Sequence, residues 1–342
     1  MHLPKPRGAF SERVLATLAS GDVATLGALP EPESAEDAAL VLWCLYELSY
    51  RGFQDVDDRL EWAPELIAVR RDLEEDLEAR LRSRWSGQPA YDGDFATAFF
   101  AEVEGHEGPS LARFVQRSAT ADQGMELLQA RSIYHLKESD PVAFSVPRLP
   151  VAPRAALMEL QYDEYGGGRP DRLHQALFAR GLEACGLSAE YGAYLDLVPG
   201  ATLAVSNIMN LFVLHRSLAA AAMGHLGAFE ATSSQPCRRV AQGCRRLGLS
   251  DVVSGYFDEH IEADAVHEQL AFRDICGGLA AESPELEEDL FLGAAAYLHS
   301  EALAGQAMLA AWRAGRSSMR EAEGGPDIRP RVEVDLESPV AS

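Results

Sequence analysis

The chain has 342 residues, 47% of them hydrophobic, enough for a large helical domain with appendages or two small domains with buried cores. Thirty Lys and Arg against 53 Asp and Glu leave a net charge of −23, which repels phosphate backbones and anionic lipid. No basic stripe overrides that total, so neither nucleic acid nor a membrane surface is expected as a partner. No run reaches about 18 apolar residues, and the amino terminus MHLPKPRGAFSERV lacks the apolar core of a signal peptide. A cytoplasmic protein is expected. Cys44, Cys185, Cys237, Cys244 and Cys276 are odd in number, scattered and without a CxxC pair, and read as buried free thiols.

Apolar residues recur at three and four nearly everywhere, and no convincing strand is seen, so the fold class is all-α. Residues 36–52 and, after Pro64, residues 65–85 read as two helices of an amino-terminal helical arm covering 1–86. SGQPAYDGD (86–94) gathers turn formers and reads as a domain boundary. Further helices are expected at 94–105, 109–118, 121–138, 153–165, 171–184, 199–230 with a break, 235–247, 250–276 and 284–315. SVPRLP, GGGRP, VPG and SSQP read as breakers between them, and the polar, Pro-rich stretch 316–342 reads as a disordered tail.

In HIEADAVH (260–267), His260, Asp264 and His267 are spaced by four and three and therefore share one helical face. An exposed polar face has the same pattern, so a metal site there needs partners from elsewhere. The neighbouring Asp258, Glu259, Glu262 and Glu268 point away from that face and read as solvated. In ELQYDEYGGGRPDRLH, Glu164 near the end of one helix and His174 at the start of the next flank GGGRP, which allows a sharp reversal with Pro170 opening the second helix. Glu230 closes the apolar run LHRSLAAAAMGHLGAF, where an isolated ionised carboxylate is costly unless a cation lies near. Glu138 ends SIYHLKE, and a solvated carboxylate at a helix end is an equal reading of it. His135, one turn earlier, is placed to support Glu138; His215 and His225 read as hydrogen-bonded core histidines, and His106 and His299 have no clear partner.

If these groups converge, three imidazoles and four carboxylates surround a pair of first-row ions such as iron or manganese, the four negative charges offsetting two divalent cations. Zinc would need fewer ligands. DRLH and DAVH are only DxxH, so a ferritin-type pair of ExxH motifs is not implied. No GxGxxG follows a strand, so a built-in nicotinamide or flavin site is not supported.

LYELSYRGF (45–53), HLKESDPVAFSVPRL (135–149), ELQYDEYGGG followed by His174, GHLGAFE (224–230) and HIEADAVH occur in that order, and together they resemble the haem-oxygenase-like di-iron oxidases and oxygenases, the iron-containing redox enzymes. The resemblance implies a haem-oxygenase-like helical bundle over 87–315, an amino-terminal arm that mediates a homodimer, two Fe ions cycling between Fe2+ and Fe3+, and O2 as co-substrate. It implies Glu164 and His174 as ligands of one iron, Glu230 as a bridging carboxylate, and His260, Asp264 and His267 as ligands from the last core helix, with Glu138 matching an additional carboxylate of some members. That addition resembles the N-oxygenating members. The implied activity is oxygenation of an amine or guanidine nitrogen of an amino-acid-like molecule through a peroxo-di-iron(III) species, with an external electron donor. Six-ligand members that cleave C–H or C–C bonds of an amino or fatty acid are the alternative within the fold, and a metal-free binding protein is the alternative of another class.

Overall fold

Local signals start five of the helices in the amino-terminal part of the chain. The side chains of Ser34, Asp94 and Ser110 each accept from the amide three residues on, Thr120 forms a reciprocal box with Gln123, and Pro64 opens its own helix. A computed structural model describes residues 1–85, 89–106 and 110–321, without the side chains of 262–266. In chain order the α-helices are α1 (Ala9–Ser20), α2 (Ala35–Glu47), α3 (Pro64–Arg84), α4 (Phe95–Glu104), α5 (Leu111–Arg117), α6 (Ala121–His135), the short α7 (Asp140–Ala143), α8 (Val151–Glu164), α9 (His174–Ala184), α10 (Gly200–Leu214), α11 (Ala219–Arg246), α12 (Asp251–Gln269), α13 (Gly277–Glu282) and α14 (Glu287–Arg313). Among the described residues there is no strand, and no single helix is long and apolar enough to cross a membrane. All five cysteines are free, three of them buried.

Three features depart from the sequence reading. Helix α1 was not expected at all, although Gly21, in the left-handed region at φ 72°, is an ordinary helix stop. SSQP does not break the chain: α11 runs through Pro236, with Thr232 and Ser233 turning their hydroxyls back onto the carbonyls of Ala228 and Phe229. A proline removes one helical hydrogen bond, and apolar residues on either side of it, among them Leu226, Ala228, Val240 and Cys244, are buried along the same helix. The helix expected over 250–276 is α-helical only to Gln269 and continues as a π-helix, Leu270–Cys276, which begins three residues after His267. The break expected within 199–230 falls at His215, where α10 and α11 meet at 104°.

Helix α11 lies at the centre, packed against α14 on one side and α12 on another, while α8 packs on the π-helix and α9 on α12. The α11–α14 crossing is close because glycine faces backbone on both sides. A Cβ at Gly224 would lie 1.8 Å from Leu290 O, and one at Gly293 would lie 1.9 Å from Ala221 O. One apolar core joins Trp43, Phe178, Tyr256 and Trp312; a second joins Phe99, Phe212, Phe272 and Phe291. Helix α2 contributes to both cores and packs against α10. The tail expected from residue 316 lies outside the described residues beyond 321.

Candidate metal centre

Glu164 is the last residue of α8 and His174 the first of α9. The reversal between them needs glycine: Gly166, Gly167 and Gly168 all have positive φ, at 68°, 62° and 78°, and a Cβ on Gly166 would lie 2.6 Å from the Arg172 carbonyl carbon. The reversal brings His174 Nδ1 to 3.0 Å from Glu164 Oε2. Glu138 sits in the turn between α6 and α7, Glu230 on α11, and His260 and His267 on α12.

These six side chains form two adjoining trios in which each residue offers one ligand atom within 4.8 Å of the others: Glu138, His174 and His260, and Glu164, Glu230 and His267. His260 Nε2 lies 3.4 Å from Glu138 Oε1; His267 Nδ1 lies 3.4 Å from Glu164 Oε1 and 3.6 Å from Glu230 Oε2. The rings of His174 and His260, within the first trio, are 4.6 Å apart between centroids, and His174 Nδ1, 3.0 Å from Glu164 Oε2, links the two trios. All six are between 0% and 7% exposed. The side chain of Asp264, the seventh candidate, lies outside those described.

The donor set fits a pair of first-row divalent ions. Three imidazoles and three carboxylates, with solvent excluded, are nitrogen and oxygen ligands of intermediate hardness, and the carboxylates are able to bridge. His260 Nε2 and His174 Nδ1 are buried without a hydrogen-bond partner, and their short distances to carboxylate oxygens lack hydrogen-bond alignment. His260 Nδ1 lies 2.9 Å from the Tyr256 carbonyl, which only accepts, so Nδ1 carries hydrogen and Nε2 is left for a ligand.

Burial raises the pKa of Glu138, but His135 and His260 more than offset it and hold the carboxyl well below the usual range. Burial raises Glu230 above the usual range, and Glu164 adds to the rise against the pull of His267. For His260 burial lowers the pKa, yet Glu138 prevails and the ring is pushed up to about 10. The sign follows: the His260–Glu138 attraction stabilises the metal-free protein fully below about pH 6.5 and fades as pH rises through about 10. A metal has to displace that proton, so affinity at this trio is expected to fall about ten-fold per unit decrease in pH near neutrality. Titration with Fe(II) under argon at several pH values measures the slope, and a flat profile would remove His260 from the ligands.

Three supporting residues complete the site. His135 Nδ1 is 3.0 Å from Glu138 Oε1, in the place expected for it. The Tyr256 hydroxyl contacts His135 Nδ1 at 2.8 Å and donates to Glu138 Oε2 at 3.0 Å. Ser139 Oγ donates to Glu164 Oε2 at 2.8 Å. Tyr256 and Ser139 escaped the sequence reading; the available signals were Tyr256 four residues before His260 on one helical face and Ser139 beside Glu138.

The other histidines divide. His225 is a buried core residue whose pKa burial lowers to about 4; its Nε2 has no hydrogen bond, and the ring packs edge-on against Tyr297. His215 lies at the α10–α11 break, 3.0 Å from Glu74, and His299 contacts Arg84 at 2.8 Å. Glu259 pairs with Arg172 at 2.8 Å and Asp258 with Arg245, away from the trios.

An all-α bundle that gathers buried histidines and carboxylates from the α6–α7 turn, α8, α9, α11 and α12 defines a haem-oxygenase-like metalloprotein. Residues 125–302 match the family described as iron-containing redox enzymes, and the chain belongs to that family. The match contains all seven candidates. A nitrosourea synthase of Streptomyces achromogenes subsp. streptozoticus is 28% identical over 136 residues, 40% of this chain and 29% of the synthase. The similarity thus spans less than a third of that relative's length.

Proposed function

We propose that the chain binds two iron ions through Glu138, Glu164, His174, Glu230, His260, Asp264 and His267, and uses them with O2 to oxygenate an amine or guanidine nitrogen of an amino-acid-like small molecule. The observation that carries this reading is that the first trio is complete: Glu138 is buried beside His174 and His260, so each of two ions has carboxylate and imidazole donors of its own. The similarity to a nitrosourea synthase supports nitrogen as the atom oxidised.

The bound irons supply O2 activation and redox equivalents. The chain supplies the rest. Tyr256 donates its hydroxyl proton to Glu138, Ser139 holds one oxygen of Glu164, and the Tyr256 carbonyl fixes the His260 tautomer, so that ligand atoms are oriented before metal arrives. Near-complete burial excludes water from the ligand atoms.

Arg131 and Glu301 pair through two 2.8 Å contacts beside a cleft of about 40 Å³ between α6, α10 and α14, which Tyr134 also lines. A substrate with a carboxylate and a cationic nitrogen finds both counter-charges there. A space of that size holds about three waters, so entry of such a substrate requires the helices to part. An external electron donor and a homodimer belong to the same reading.

Anaerobic titration with Fe(II), then mixing with O2 while absorbance is followed, tests it. Two equivalents bound, a transient visible absorbance and an amine product heavier by about 16 mass units per oxygen atom are expected. Loss of hydrogen or of a fragment would transfer the chain to the C–H or C–C cleaving alternative, and no metal uptake would leave a binding protein.

A further inference from the structure

Glu47 ends α2 and has no solvent exposure. Its Oε2 accepts from Lys137 Nζ at 2.7 Å and from the Tyr191 hydroxyl at 2.9 Å, and its Oε1 from the Arg51 amide at 3.3 Å. Lys137 is 2% exposed, with its ammonium 4.1 Å from the Tyr50 ring centroid and 5.6 Å from those of Trp43 and Tyr191. Charge, hydrogen bond and aromatic faces thus hold one lysine in one place. That lysine immediately precedes Glu138.

Four residues after Glu47 a second set of contacts begins. Arg51 Nη2 donates to Asp140 Oδ2 and Gln175 Oε1, each at 2.8 Å. Gln175 Nε2 and the Tyr165 hydroxyl both donate to Asp140 Oδ1, again at 2.8 Å. Asp140 follows Ser139, Tyr165 follows Glu164 and Gln175 follows His174. Glu47 and Arg51 therefore grip, directly or through Asp140, the chain neighbours of Glu138, Glu164 and His174. An ion pair with no further purpose has no need to sit beside three convergent side chains from three separate segments.

We propose that Glu47–Arg51 is a positioning clamp for the metal centre, and that the Glu138–His174–His260 trio depends on it more than the Glu164–Glu230–His267 trio does. Two members of the first trio stand beside clamp contacts, against one of the second. The stretch lies inside LYELSYRGF, so the amino-terminal region acts on the site as well as extending the fold. The inference rests on the two-metal reading.

The test is anaerobic titration of the full chain with Fe(II) and, for its visible spectrum, with Co(II), in wild type, Arg51→Ala and the double variant Glu47→Leu with Lys137→Met. Arg51 is 42% exposed, so its removal leaves the fold standing, and the double variant replaces both buried charges by apolar groups and strands neither. Glu138→Ala assigns the equivalent and the Co(II) band that belong to the first trio. In the clamp variants that equivalent is expected to weaken about 10- to 100-fold, the range for residues that orient metal ligands, while the other changes much less. Unchanged affinities, or equal weakening of both sites alongside a lower melting temperature, would reduce the clamp to a structural pair and overturn the proposal. If wild type takes up two metals and the variants match it, only the clamp fails. If wild type takes up none, the two-metal reading fails and the clamp falls with it.

Discussion

Exchange of Glu230 for glutamine is expected to lower turnover below about 1% of wild type while making the metal-free protein more stable. The two effects share one cause. Glu230 is 3% exposed on α11, and burial raises its pKa, so in the absence of a cation it is a carboxylate held where ionisation is unfavourable. A carboxyl whose pKa is raised on folding destabilises the fold above its unfolded pKa; the penalty is absent in acid, grows between the unfolded and folded values and persists at neutral pH. An amide of the same shape removes the penalty. In the proposed two-iron site it also removes a negative ligand that acts beside Glu164 and His267, and since residues that only orient ligands are worth about 10- to 100-fold, loss of a ligand exceeds that. Calorimetry with and without Fe(II) separates the two effects: the melting temperature rises in the metal-free variant, and the further rise that metal gives wild type disappears. A variant that keeps the wild-type response to metal would show that Glu230 is not a ligand.

The parts of the centre that were legible in the sequence are those fixed by short-range geometry. His260 and His267 share a face because of helical pitch, and Glu164 and His174 meet because three consecutive glycines reach a left-handed conformation between them. Glu230 stood out because a carboxylate in an apolar run needs a reason. Tyr256 was invisible because its partners, His135 and Glu138, lie more than a hundred residues away. The same holds for Glu47 and Lys137: the motif around Glu47 was evident, but the aromatic faces that hold Lys137 come from α2, the turn after it and residue 191. Pro236 misled for the opposite reason, since a local helix breaker was overruled by packing along the rest of α11.

Glu138→Ala decides between the two oxidative chemistries the fold can host. In the N-oxygenation reading Glu138 is the carboxylate of the trio it shares with His174 and His260, and its loss is expected to reduce bound iron from two equivalents to one and nitrogen oxygenation at least about 100-fold. In the six-ligand alternative the residue is a buried acceptor for Tyr256 and a neighbour of His135, and turnover stays within a few-fold of wild type. Alanine also leaves a small cavity, so a second substitution separates ligation from packing. Tyr256→Phe keeps Glu138 and the aromatic ring but removes the hydroxyl that donates to its carboxylate at 3.0 Å. As a residue that orients a ligand, Tyr256 is expected to matter by about 10- to 100-fold in affinity for the second iron, with stoichiometry recovered at high iron. Glu138→Ala does not recover, because added iron supplies no carboxylate. Recovery of two equivalents in Glu138→Ala, with turnover within a few-fold of wild type, would place Glu138 outside the ligand set and match the six-ligand alternative.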